Sequence, residues 1–126
     1  MTAFSVAGAL AVATGAVLGA WLRWLLAMVL NTASASLPLG TLTSNLTGGL
    51  LIGIAMSWFS THPQVAPEWR LFAVTGFLGA LTTFSTFSGE SLALLQKGDL
   101  TAAAIHSAVH LFGCLAAAAF GVWLMR

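Results

Sequence analysis

The chain has 126 residues, of which 59% are hydrophobic and only 6% are charged. A soluble domain has about 25% charged residues, so this composition excludes a water-soluble protein and predicts an integral membrane protein. The formal net charge of +1 offers no basic surface for a nucleic-acid partner.

Four hydrophobic stretches account for almost the whole length. A spanning helix needs about 20 apolar residues, so the sequence predicts an all-α protein of four transmembrane helices. The predicted spans are at about residues 4–30, 40–60, 71–95 and 100–124. Residues 1–126 are therefore expected to form a single four-helix transmembrane domain in the lipid bilayer.

The first span contains a pair of glycines and one cation. Gly15 and Gly19 form a GxxxG pair, which allows another helix to approach closely, although glycine is also common in membrane helices for no such reason. Arg23 is the first cation of the chain. It could extend to the headgroups or place positive potential at a pore mouth. Residues 31–39 are predicted to form the loop to the next span.

The second span begins with small and polar residues. Thr41, Asn45, Gly48 and Ile52 follow the helical step and share one face. An asparagine inside the membrane is costly unless it bonds to a neighbour or to a permeant species. Asn45 therefore either joins two helices or lines a path, and both interpretations stay open.

The third span contains the most unusual stretch, residues 76–90, in which glycines, hydroxyl side chains and phenylalanines alternate. Glycine and adjacent threonines both weaken a helix, so a break is predicted near residues 79–83. Broken backbone survives at membrane depth only where protein buries it or a polar pathway needs it. Phe84 and Phe87 share a face, as core packing would also require, but their ring edges could hold an anion.

The fourth span carries His106, His110 and Cys114 at positions i, i+4 and i+8. This spacing suits a transition metal, yet no glutamate lies between the histidines and no further ligand is apparent in the sequence. A weakly polar interior stripe, or packing, is therefore favoured over a metal site.

The cations give no preferred orientation. One side of the membrane would carry Arg70 and Arg126, and the other Arg23 and Lys97. Because two cations oppose two, the chain is expected to insert in both directions. An antiparallel homodimer then becomes possible, and four short helices need a second copy to enclose a polar path.

Several segments together resemble the Fluc fluoride channels, also called CrcB. The segments are Gly19-Ala20-Trp21-Leu22-Arg23-Trp24, Gly40-Thr41-Leu42 with Asn45 and Gly48-Gly49, Gly76-Phe77-Leu78-Gly79, and Thr82-Thr83-Phe84-Ser85-Thr86-Phe87-Ser88. The resemblance covers the whole chain and implies a dual-topology, antiparallel homodimer with two pores. It also implies passive, fluoride-selective export of cytoplasmic fluoride, which lowers fluoride toxicity, through the inner (plasma) membrane of a prokaryote.

The resemblance also implies roles for individual residues. The residues implied for the fluoride pore are Asn45, Phe84, Phe87, Thr41, Ser85, Thr86 and His110. Arg23 would lie at the pore entrance, and Glu90 would face the same polar route. The main-chain carbonyls of Gly79 and Thr82 would hold a structural sodium ion at the dimer centre.

The fourth span departs from the family pattern, which usually has hydroxyl side chains at the positions of His110 and Cys114. A histidine there could donate a hydrogen bond to fluoride, or titrate near its reference pKa of about 6.5 and make flux depend on pH. If flux titrates through His110, replacing it by serine should change the rate or its pH dependence.

Other functions fit less well. A proton-coupled fluoride transporter is the nearest alternative and would use His110. A small multidrug antiporter would need an acidic residue in the first span, which has none. A haem-binding anchor would need ligands on two helices. No nucleophile, base and orienting group occur together, so no enzyme is predicted.

Amide, hydroxyl and ring-edge groups suit fluoride, since conduction requires attraction that still permits release.

Overall fold

The computed structural model describes residues 3–32 and 37–126. Within these ranges, four helices are long and apolar enough to cross a membrane: Val6–Leu30, Leu39–Thr61, Pro67–Gln96 and Leu100–Leu124. The prediction of four spanning helices in an all-α membrane protein is thereby confirmed. Residues 33–36 of the predicted first loop lie outside the described residues.

The helices are named here in chain order. They are α1 Val6–Leu30, α2 Leu39–Thr61, α3 Pro67–Arg70, a π-helix Leu71–Leu78, α4 Gly79–Leu81, α5 Phe84–Gln96 and α6 Leu100–Leu124. The third span comprises α3, the π-helix, α4 and α5. It begins at Pro67, four residues before the predicted start, because proline is favoured in the first helical turn.

The third span is broken at Thr82 and Thr83, within the predicted range. Thr82 has ψ 154° and Thr83 has φ −148°, so both are extended. The Thr83 side chain caps α5 by accepting a hydrogen bond from the Thr86 amide at 3.1 Å. Gly79, in contrast, is helical with φ −60°. The break therefore lies at the threonine pair, which was one of the two features that predicted it, while Gly79 itself stays helical.

Helix α1 packs closely against the π-helix and α4. A Cβ atom on Gly15 would overlap the carbonyl oxygen of Phe72, and one on Gly19 would overlap that of Phe77. The GxxxG pair thus lets two backbones touch, as predicted. Glycines also bring α2 and α6 together, where Gly53 faces the Ala118 carbonyl. Helix α5 then lies against α6.

Candidate functional site

An open cleft of about 520 Å³ lies beside the break in the third span. Its lining brings together six residues that the sequence analysis selected: Asn45, Gly79, Thr82, Phe84, Phe87 and His110. They come from α2, from both halves of the broken span and from α6. Gly48 gives this region its shape, because a Cβ atom there would overlap the Thr82 side chain.

Asn45 connects the break to α6 through three hydrogen bonds of its side chain. Its Oδ1 accepts from the Thr83 amide at 2.8 Å, and its Nδ2 donates to the Thr83 carbonyl at 3.1 Å. The same Nδ2 lies 3.1 Å from Nδ1 of His110. Asn45 therefore takes the place of the helical hydrogen-bond partners that the Thr83 backbone groups lack. Of the two interpretations that the sequence left open for Asn45, the one in which it joins two helices describes these contacts.

The hydrogen bonds of Asn45 also fix the tautomer of neutral His110. The Thr83 amide can only donate, so it must face the oxygen of the Asn45 side chain. The amide nitrogen then faces His110 Nδ1, which must accept. Neutral His110 consequently carries its hydrogen on Nε2, an atom that is buried and has no hydrogen-bond partner.

Phe87 covers both histidines of α6. Its ring centroid lies 5.4 Å from that of His106 and 4.7 Å from that of His110. The ring centroids of Phe84 and Phe87 are 5.5 Å apart. Phe84 is nevertheless 80% exposed in the single chain. The two phenylalanines therefore differ in environment, although both line the cleft.

A second polar group lies next to the cleft and contains Glu90. Thr41 donates from Oγ1 to Glu90 Oε1 at 2.6 Å. The other carboxylate oxygen, Oε2, lies 3.2 Å from His106 Nε2, although the two atoms are not aligned for a hydrogen bond. The ligand atoms of Glu90, His106 and His110 all lie within 4.8 Å of one another. We call these three residues the Glu–His cluster.

The Glu–His cluster corrects one expectation from the sequence. No further ligand was expected beside the two histidines, but Glu90 provides a carboxylate from the neighbouring α5. Local spacing gives no signal for this pairing, because it depends on how α5 packs against α6. Cys114, the third residue of the predicted stripe, lines the cleft and is not a member of the cluster.

Ser85 and Thr86 lie apart from the buried residues. Both are exposed in the first turn of α5, and their hydroxyls lie 3.2 Å and 3.1 Å from Oγ1 of Thr83. They do not line the cleft. The structure therefore places them with Phe84 in the exposed first turn of α5, and not beside Asn45 and His110.

Arg23, for which a pore entrance is predicted, contacts the backbone of α4. Its Nε donates to the Ala80 carbonyl at 3.0 Å, just before the break. Helix ends leave carbonyl groups without helical partners, and Arg23 satisfies one of them. This contact is incompatible with a side chain that only extends to the headgroups.

We expect Arg23→Met to destabilise the folded chain by about 1.5–3 kcal/mol, the usual value of a hydrogen bond to a charged group. Thermal unfolding of the purified protein in detergent would measure this. Arg70→Met is the matched control, because the Arg70 guanidinium is exposed and lies 5.2 Å from the centre of the Phe59 ring. An equal loss in both variants would contradict the role of the Ala80 contact.

The carbonyl groups of Gly79 and Thr82 are among those at the break that lose their usual helical partners. The Thr83 amide, which would bond the Gly79 carbonyl in a continuous helix, donates to Asn45. The Thr86 amide, which would bond the Thr82 carbonyl, donates to Thr83 Oγ1. The oxygens of Gly79 and Thr82 are therefore available to another partner.

Comparison with known proteins gives consistent relatives. Residues 10–122 match the family model described as "CrcB-like protein, Camphor Resistance (CrcB)". A protein of Cupriavidus metallidurans named "Fluoride-specific ion channel FluC" is 56% identical over 119 residues, 94% of each chain. A protein of the same name from Ralstonia pickettii is 54% identical over 94% of this chain and 94% of its own length. Another from Pseudomonas aeruginosa is 52% identical over 93% of this chain and 92% of its own length. The chain therefore belongs to the CrcB family.

Proposed function

We propose that this chain forms a fluoride-selective channel through which cytoplasmic fluoride leaves the cell passively. The observation that carries the proposal is the name "Fluoride-specific ion channel FluC" on relatives that are up to 56% identical over 94% of the chain. That name describes a channel and agrees with the prediction that the chain is not an enzyme. The chain would be a multi-pass protein of a prokaryotic inner membrane.

The chemistry of the cleft supports an anion as the permeant species. Fluoride is small and tightly hydrated, so a pathway must offer donors in place of water without holding the ion too firmly. His110 offers an uncharged Nε2 hydrogen that has no partner inside the protein. The edges of Phe84 and Phe87 would add weak positive charge. No Lys or Arg occurs in α4, α5 or α6.

The contacts of Asn45 and Thr41 suggest indirect roles in this pathway. Asn45 uses its donors on Thr83 and His110, so it would set the orientation of the His110 donor. Thr41 would position Glu90 in the same way. Of the other residues implied for the pore, Ser85 and Thr86 would contribute hydroxyls from the exposed first turn of α5.

We also propose an antiparallel, dual-topology homodimer of one four-helix domain per subunit. The exposed first turn of α5 supports a second copy, since Phe84 is 80% exposed and Ser85 and Thr86 follow it. Lipid tails cannot satisfy hydroxyl groups at membrane depth, whereas a partner helix can. The balanced cations agree with insertion in both directions.

A structural sodium ion at the dimer centre is part of the same proposal. Sodium prefers hard oxygen ligands, and the free carbonyls of Gly79 and Thr82 fit that preference. These two residues would hold the ion, which would supply positive charge to join the broken spans of two subunits. Arg23 already occupies the carbonyl of Ala80 between them.

Fluoride efflux from liposomes that contain the purified protein tests the proposed function. We expect rapid release, followed with a fluoride electrode, only when a potassium ionophore compensates the charge, and much slower release of chloride. Release without the ionophore would instead indicate a proton-coupled transporter. Absence of release in both conditions would contradict both fluoride functions.

One matched pair of variants links that efflux to the cleft. Phe87→Ile removes the ring edge and should slow fluoride efflux by about tenfold, which corresponds to about 1.4 kcal/mol. Phe112→Ile makes the same change at an exposed position of α6 and should leave the rate unchanged. Equal rates for the two variants would exclude Phe87 from the pathway.

A further inference from the structure

The Glu–His cluster contains three buried ligand atoms that lack hydrogen-bond partners. They are Glu90 Oε2, His106 Nε2 and His110 Nε2. His106 is 2% exposed and His110 is 4% exposed. A buried polar atom without a partner is costly, and such atoms are uncommon in native proteins. Glu90 Oε2 and His106 Nε2 lie 3.2 Å apart as an ion pair without hydrogen-bond geometry, and His110 Nε2 has no partner. The three atoms together therefore point to a ligand that all of them could bind.

Two imidazole nitrogens and one carboxylate oxygen form a ligand set typical of zinc and neighbouring divalent metals. Tetrahedral zinc with bonds of 2.0–2.2 Å places its ligand atoms about 3.3 Å apart. Glu90 Oε2 and His106 Nε2 are already 3.2 Å apart. The largest separation in the cluster is within 4.8 Å, so a modest side-chain rotation would complete the site.

The surroundings of the cluster also suit a metal ion. Thr41 donates to Glu90 Oε1, which orients the carboxylate and leaves Oε2 free. His106 is the seventh residue of α6, so the cluster lies about 10 Å along the helix from its start. Ser91 and Ser107, whose hydroxyls are 3.3 Å apart, join α5 and α6 nearby.

Metal binding and the hydrogen bond between Asn45 and His110 exclude each other. A metal needs the lone pair of His110 Nε2, whereas Asn45 holds the hydrogen on that atom. On binding, the proton leaves Nε2 for solvent and another is taken up at Nδ1, so that the bound imidazole stays neutral. The protonated Nδ1 then faces the Asn45 amide hydrogens, so their contact opens.

We propose that Glu90, His106 and His110 bind a divalent transition-metal ion of the zinc type, and that the bound ion blocks anion passage beside Phe87. The block rests on the proposed channel function, while the binding does not. The ion takes the place of the Nε2 hydrogen, the N–H group of His110 that could donate to an anion. It also fixes both histidines beneath the Phe87 ring, which contacts them.

Cobalt absorption tests the binding directly. Co²⁺ added to the purified full-length protein should produce visible absorption bands typical of cobalt with four or five ligands. The bands should saturate at one Co²⁺ ion per chain, and added Zn²⁺ should displace the Co²⁺ and abolish them. His110→Ser and Glu90→Gln should each weaken Co²⁺ binding at least tenfold. Glu90→Gln is nearly isosteric and keeps an acceptor for Thr41. His62→Ala is the control, because His62 lies in the loop before α3 and contacts the Trp58 carbonyl.

The outcomes separate the site from the channel. The comparison includes only those variants that elute from a size-exclusion column at the same volume as the unchanged protein. Absence of cobalt bands, or equal bands in all four proteins, would overturn the proposed site. In liposomes, Zn²⁺ should slow fluoride efflux of the unchanged protein and of His62→Ala, but not of Glu90→Gln. If the protein binds Co²⁺ but Zn²⁺ does not slow its fluoride efflux, the proposed block of anion passage is overturned. If it binds Co²⁺ but releases no fluoride at all, the metal site stands and the proposed channel function is refuted.

Discussion

Asn45→Ala is expected to abolish fluoride efflux and to destabilise the chain by about 3 kcal/mol or more. The substitution removes the partners of both backbone groups of Thr83 and of His110 Nδ1. A buried polar group left without a partner costs about 1–3 kcal/mol, and little water is available inside the membrane to replace it. The His110 tautomer would also no longer be fixed. Thermal unfolding in detergent and liposome efflux measure the two effects.

Asn31→Ala is the matched control for this prediction. The Asn31 side chain accepts a single hydrogen bond, from the Gly40 amide at the start of α2. Since Asn31 is exposed, water can replace the bond, and the loss should be about 1 kcal/mol with efflux retained. If Asn45→Ala unfolds and conducts like Asn31→Ala, the break does not depend on Asn45.

The second large effect is expected for Gly19→Val, which should prevent correct folding. The added Cβ would overlap the Phe77 carbonyl oxygen, and neither backbone can move without separating α1 from the third span. Overpacking costs about 1–3 kcal/mol where side chains can adjust, so a backbone contact should cost more. Size exclusion and thermal unfolding should show aggregation or a strongly lowered midpoint.

Ala13→Val provides the comparison for Gly19→Val. Ala13 lies on the same helix and is exposed, so the same β-branched side chain meets no backbone there. This variant should elute and unfold like the unchanged protein. Similar behaviour of both variants would contradict the close approach of α1 to the π-helix and α4.

The sequence predicted the spans well because hydrophobicity and length determine them. It also located the break, since the threonine pair and Gly79 lie within five residues of one another. Of the two features that predicted the break, Gly79 keeps helical angles and the threonine pair is where the chain becomes extended. The position within this range could not be predicted, because the Thr83 amide bonds to Asn45 from another helix. The π-helix was not predicted at all, as its sequence, Leu71 to Leu78, carries no local signal for a wider turn.

The candidate site was predicted only in part, for a related reason. Asn45, Phe87 and His110 stand out individually as polar or aromatic residues at membrane depth. Their contacts come from packing between helices that are distant in sequence, as does the pairing of Glu90 with His106. From its sequence position, Arg23 could extend to the headgroups or lie at a pore mouth, but its contact with Ala80 follows from how α1 crosses α4.

The break gives one spanning segment two additional helix ends in the middle of the membrane. The aligned peptide dipoles of a helix place about +0.5 of an elementary charge at its N-terminus and about −0.5 at its C-terminus. The N-terminus of α5 at Phe84 therefore contributes positive potential, and the C-terminus of α4 at Leu81 contributes negative potential, within a few residues. An anion and a cation can thus both find a favourable field at one break, without any charged side chain being placed in the path.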